Sequence, residues 1–118
     1  MFNPFFMMGP PIDEIGAEKL KEMIDSGRDD FVILDVRTHQ EYVGRAGHIK
    51  GSILIPLQSL WHNQDQLESY KDKEIIIYCR TGSRSAEACR ILNQKGYKTK
   101  NMTYGMMMWH RLGYEFEY

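Results

Sequence analysis

Three observations predict an α/β fold built on a mainly parallel sheet with helices on both faces. Short apolar runs at 31–34, 52–55 and 74–78 alternate with segments of helical spacing. The runs at 31–34 and 75–78 are continuously apolar, Phe-Val-Ile-Leu and Ile-Ile-Ile-Tyr, as strands buried on both faces are. Most runs lead directly into a turn and a helical segment, and right-handed crossovers then carry helices to both sides of the sheet. The 118 residues, 42% of them apolar, suffice for one domain with one core.

The elements follow in order. Residues 1–11, Met-Phe-Asn-Pro-Phe-Phe-Met-Met-Gly-Pro-Pro, form an apolar tail without Lys or Arg. It is too short and interrupted for a secretory signal or a membrane span. It is read as a tail covering an apolar patch of its own domain, with docking to a partner or a second copy as the alternative. The domain proper is placed at 12–118, opening with a short strand at 12–13. Over 16–26, Leu20, Met23 and Ile24 share one face and Glu18, Lys19, Lys21 and Glu22 the other, an amphipathic helix stopped by Ser26-Gly27. The strand at 31–34 runs into Asp35-Val36-Arg37, and Thr38 offers an N-cap to a short helix over 40–43. A loop over 44–51 leads to a strand at 52–55 that Pro56 ends, then to helical turns at 57–62 and 64–70. The strand at 74–78 precedes a helix over 85–94, which Gly96 closes. A strand at 98–102 and a helix at 106–112, closed by Gly113, complete the chain.

The formal net charge of −1 gives no electrostatic case for nucleic acid or an anionic membrane as partner. Two cysteines, Cys79 and Cys89, are too few for a disulfide scaffold, which fits a reduced, cytoplasmic setting. Cys89 reads as a small buried apolar residue. His39, His62 and His110 show no metal spacing with one another or with the cysteines, so neither a metal nor another cofactor is expected.

The chemistry concentrates in Cys79-Arg80-Thr81-Gly82-Ser83-Arg84-Ser85, between the strand at 74–78 and its helix. In parallel sheets, ligands bind at the carboxyl ends of the strands. A thiol reacts as its thiolate, and the unpaired N–H groups at a helix N-terminus favour negative charge. Gly82 lets the backbone curl so that several N–H groups converge. Thr81 and Ser83 are small donors, and Arg80 and Arg84 add charge suited to an oxyanion. The predicted object is an anion cradle with a nucleophile, Cys79, at its floor.

This loop closely resembles the active loop of the rhodanese family of sulfurtransferases. Leu34-Asp35-Val36-Arg37 with Glu41-Tyr42, Gly47-His48-Ile49-Lys50-Gly51-Ser52-Ile53 with Ile55-Pro56, and Gly105 through Trp109 with Gly113-Tyr114 are similar to that family's other signatures, in its order, over roughly residues 12 to 115. Tyr104 departs from the pattern, standing where the family often has a second glycine before Gly105. The resemblance implies a five-stranded sheet with the loop at its centre. It also implies sulfur transfer from a donor such as thiosulfate, through a Cys79 persulfide, to cyanide or a thiol. The implied partners are small sulfur-containing anions and a thiol or sulfur-accepting protein, for a monomer or weak homodimer.

Substrate contacts are expected from Arg80, Thr81, Gly82, Ser83 and Arg84, with Asp35, Arg37, His48 and Ser85 in support. Several of these have plainer readings. Arg84 starts a helix, where a cation is disfavoured, so it either binds an anion or ties down the loop. Arg80 either contacts substrate or points to solvent. Asp35 and Arg37 are an acid and an anion binder, or an ion pair fixing the strand end, and Glu41 is open in the same way. His48 is a base, or holds a turn by a hydrogen bond. Met106, Met107 and Met108 line a soft sulfur site or fill core. Two rival functions remain. A cysteine phosphatase or arsenate reductase would use a loop one residue longer than Cys79-x4-Arg84. A non-catalytic sulfur-carrier or interaction module would keep the same cysteine.

Overall fold

A computed structural model describes residues 10–118, so the expected apolar tail lies, through residue 9, outside the described residues. Five strands form one sheet in the order β1-β5-β4-β2-β3, and every pairing is parallel. They are β1 (Glu14–Ile15), β2 (Phe31–Asp35), β3 (Ile53–Leu54), β4 (Glu74–Tyr78) and β5 (Lys98–Met102). The helices are α1 (Ala17–Asp25), α2 (His39–Tyr42), α3 (Ser83–Gln94) and α4 (Gly105–Arg111), and Leu57–His62 and Gln64–Tyr70 are 3-10 turns. The sheet is therefore five-stranded and parallel throughout, with helices on both faces.

The continuous apolar runs serve two cores at once. Ile75 and Ile77 of β4 pack with Leu34, Ala88, Cys89 and Leu92 on the α3 side. Ile76 and Tyr78 point the other way, among Leu20 and Met23 of α1 and Met106 and Trp109 of α4. All of these side chains are buried. A strand flanked by both cores has no exposed face, so its sequence shows no polar alternation. Cys79 continues the Ile75–Ile77 phase and belongs to the α3-side core.

Chain direction places the site. From β2 the chain passes outward to β3, and from β4 it passes the opposite way to β5. The crevice at the carboxyl ends of β2 and β4 is thus a topological switch point. One row crosses the whole sheet, with Glu14 beside Asn101, Asn101 beside Ile77, Ile77 beside Leu34 and Leu34 beside Ile53.

Several element ends shift by a residue or two from expectation, and three starts carry a physical reason. The first strand lies at Glu14–Ile15 rather than 12–13, because pairing with β5 sets its position: the Asn101 N–H donates to the Asp13 carbonyl and the Thr103 N–H to that of Ile15. α3 begins at Ser83, two residues early, because Gly82 at φ 110° turns the chain at once and accepts the Ala86 N–H. α4 likewise begins at Gly105. Thr38 does cap α2: its hydroxyl accepts the Glu41 N–H, and the Glu41 carboxylate accepts the Thr38 N–H. No helix among the described residues is long and apolar enough to cross a membrane.

Candidate active site

Cys79 follows the last residue of β4 and is 1% exposed. The turn at Gly82 folds the loop back over the sulfur. The Gly82 N–H lies 3.1 Å and the Ser85 N–H 3.4 Å from Sγ, and the Ser85 hydroxyl is 3.3 Å away. Burial pushes the thiol pKa up. Hydrogen bonds from the Ser85 hydroxyl and from the N–H groups of Ser85, Gly82 and Thr81 outweigh it and leave the thiol below its usual range.

The neighbouring charges brace this loop. The Arg84 guanidinium grips the Glu41 carboxylate with both arms, at 2.6 and 2.9 Å, joining α3 to α2. Arg84, assisted by the Thr38 backbone and hydroxyl, holds the Glu41 carboxyl down at about 2 against the opposing effect of partial burial. Asp35 and Arg37 form a fully buried pair at 2.7 Å, and Arg37 also donates to the Gly47 carbonyl at 2.7 Å. His48 stacks flat on Tyr42, its Nδ1 lies 2.8 Å from the Tyr42 carbonyl, and its backbone exchanges hydrogen bonds with Glu117. Arg80 is exposed and borders a cavity of about 510 Å³, together with Arg37, Glu41, Arg45, Met106 and Met107.

The start of α4 holds the loop from behind. The Met106 N–H donates to the Cys79 carbonyl at 2.8 Å and the Met107 N–H to the Arg80 carbonyl at 3.0 Å. Such closeness needs a residue without a side chain: a Cβ on Gly105 would stand 2.3 Å from the Cys79 oxygen, and Gly105 has φ 52°. Tyr104 departs from the glycine pattern yet still takes the left-handed conformation, at φ 62°. Its side chain is 55% exposed, so the backbone turn survives without the second glycine.

A family model for the rhodanese-like domain matches residues 16–112. The chain belongs to the rhodanese-like family. A curated sulfurtransferase of Allochromatium vinosum is 31% identical over 103 residues, 86% of this chain and 92% of its own. A rhodanese-related protein of Thermoplasma volcanium has the same fold, with a TM-score of 0.77 and 33% identity over 87% of this chain and 95% of that one. An NAD-dependent persulfide reductase of A. fulgidus also contains the fold, with a TM-score of 0.62 and 33% identity over 83% of this chain, but only 16% of the reductase is covered.

In this rhodanese-like domain, Cys79, Gly82 and Ser85 come together around the sulfur, while the side chains of Arg84, Arg37 and Asp35 are spent on neighbouring protein groups. His48 has its ring partners in Tyr42 and Glu117 rather than at the sulfur. Two residues at the site, Asn101 and Glu14, escaped the sequence reading. Asn101 and Ser85 are hydrogen-bonded, and Asn101 also contacts Gly82 and Glu14. The signal was present in β5, where alternation puts Thr99 and Asn101 on one face, and both are buried. A polar residue at a buried strand position calls for a partner.

Proposed function

We propose that the protein is a sulfurtransferase that carries a sulfane sulfur as a persulfide on Cys79. The observation that supports this best is the Cys79 sulfur beneath the Gly82 and Ser85 N–H groups, ionising below the usual thiol range. The thiolate attacks the outer sulfur of a donor such as thiosulfate. A bond forms between the two sulfurs, the donor's S–S bond breaks, and its electron pair leaves with sulfite. Cys79–S–S⁻ remains, its charge on the outer sulfur near the mouth of the loop, where N–H dipoles stabilise developing negative charge. An acceptor thiolate or cyanide then takes that sulfur and regenerates the Cys79 thiolate, a two-stage exchange of the ping-pong type.

A full phosphate fits this loop poorly. Besides its length, Arg84, the arginine that closes the Cys79-x4-Arg84 spacing, is already gripped by Glu41, which removes the guanidinium that a phosphoryl group would need at the helix start. The carrier reading draws on the persulfide reductase, in which a fold of this kind is one part of a much longer chain. There Cys79 would hand its sulfur to a protein partner rather than a small thiol.

The test is intact mass after thiosulfate treatment, with and without an acceptor thiol. The expected result is a gain of one sulfur atom, mapped to Cys79, reversed by the thiol and absent in Cys79→Ser. Uptake only from a protein persulfide donor points to the carrier. No uptake from any donor overturns the proposal.

A further inference from the structure

We infer that Asn101 is a positioning residue that competes with Cys79 for the single proton of the Ser85 hydroxyl. Ser85 is fully buried, with two acceptors in reach: Asn101 Oδ1 at 2.5 Å and Cys79 Sγ at 3.3 Å. A hydroxyl has one hydrogen to give. The orientation of the Asn101 amide is fixed independently. Its NH2 group donates to the Gly82 carbonyl at 3.1 Å and to the Glu14 carboxylate at 3.2 and 3.3 Å. Flipping the amide would set its oxygen against a carbonyl and a carboxylate. Glu14 is itself steadied by the Thr103 hydroxyl at 2.9 Å. The amide oxygen is therefore aimed at Ser85.

The consequence depends on the state of the sulfur. With Cys79 as a thiol, Ser85 gives its proton to Asn101 and accepts the S–H, so every donor is used. With Cys79 as a thiolate, Ser85 either turns toward the sulfur and abandons Asn101, or stays and presents a lone pair to an anion. Each choice costs a hydrogen bond. Asn101 thus keeps the bare thiolate less stable than the loop alone would make it. In the persulfide, which rests on the function proposed above, the negative charge has moved to the outer sulfur. The inner sulfur is neutral, and Ser85 returns to Asn101 without conflict. The relay favours the loaded form over the empty thiolate.

Of the charges on the surrounding elements, Asp35 pairs with Arg37 at the end of β2 and Glu41 with Arg84 between α2 and α3, while the Glu14 carboxylate on β1 is held by Asn101 and Thr103. Arg80 is exposed beyond the loop.

The test is the pH profile of Cys79 alkylation by iodoacetamide, followed by peptide mass. It uses no sulfur donor, so it reads the relay whether or not the protein transfers sulfur. Asn101→Ala frees the serine proton, and the midpoint should fall by about one unit. Ser85→Ala should then raise the midpoint more in the Asn101→Ala background than in the wild type, a coupling that independent roles would not produce. A midpoint that rises or stays put in folded Asn101→Ala, as expected if Asn101 only shapes the loop, overturns the proposal. If that variant does not fold, Glu14→Gln carries the test, since Glu14 is exposed. The expected outcome is a smaller fall that vanishes in Ser85→Ala. A fall that persists there is simple loss of a nearby charge, and no fall at all counts equally against the relay.

Discussion

Cys79 and Cys89 lie ten residues apart on one strand-loop-helix unit, and both are buried. Their chemistry is opposite. Burial pushes the Cys89 thiol up to about 11, whereas Cys79 stays below the ordinary thiol range despite its own burial. Cys89 sits inside α3, where backbone N–H groups are committed to carbonyls one turn back. Cys79 lies beneath the first turn, where they are not. Enclosure alone yields an inert thiol, and uncommitted N–H groups make a reactive one.

That contrast can be broken or sharpened in several ways. The largest effect belongs to Cys79→Ser, which should abolish sulfur uptake with the fold unchanged by circular dichroism. Gly105→Ala comes next. Its methyl would meet the Cys79 and Arg80 carbonyl oxygens at 2.3 and 2.7 Å, pushing the loop off the sulfur. Urea unfolding should show a loss of about 2–3 kcal/mol, and transfer should slow by at least about tenfold, since small misplacements of reacting groups are costly.

The Glu41–Arg84 brace is tested by acid. Glu41 ionises near 2 in the folded protein, below the ordinary 4.5. Its contribution is therefore complete above about pH 4.5 and is lost as the pH falls toward 2. Glu41→Gln should be less stable at neutral pH and should flatten that part of the stability–pH curve in denaturant titrations. The smallest effect belongs to Cys89→Ala. Transfer should stay within about twofold of wild type, with about 1 kcal/mol of stability lost to a small cavity. In the wild type, Cys79 should be alkylated below the usual thiol range while Cys89 stays silent until the protein unfolds.

The loop was legible because its parts are contiguous: a β-branched strand, a cysteine, a glycine and a helix start all fall within 74–94. The parallel sheet was legible for the same local reason, since strand and helix periods alternate along the chain. What could not be read was pairing across distance. Arg84 and Glu41 were each recognised as ambiguous charges, but forty-three residues separate them, and no local pattern says that they meet. Asn101 and Glu14 lie further apart still, and only the pairing of the first strand with the last brings them together. The extent of the first strand failed for that reason too. Its edge position is set by β5, not by its own propensity.

The clasp between α4 and the active loop has a consequence for how the protein is made. The carbonyls of Cys79 and Arg80 are held by amides at 106 and 107, and β5 must first insert between β1 and β4. On the ribosome, Cys79 emerges well before either of these. A nascent chain that has just exposed its cysteine therefore carries an ordinary thiol. The hydrogen bonds that lower its pKa are backed by the α4 clasp only once almost the whole domain has been synthesised and folded.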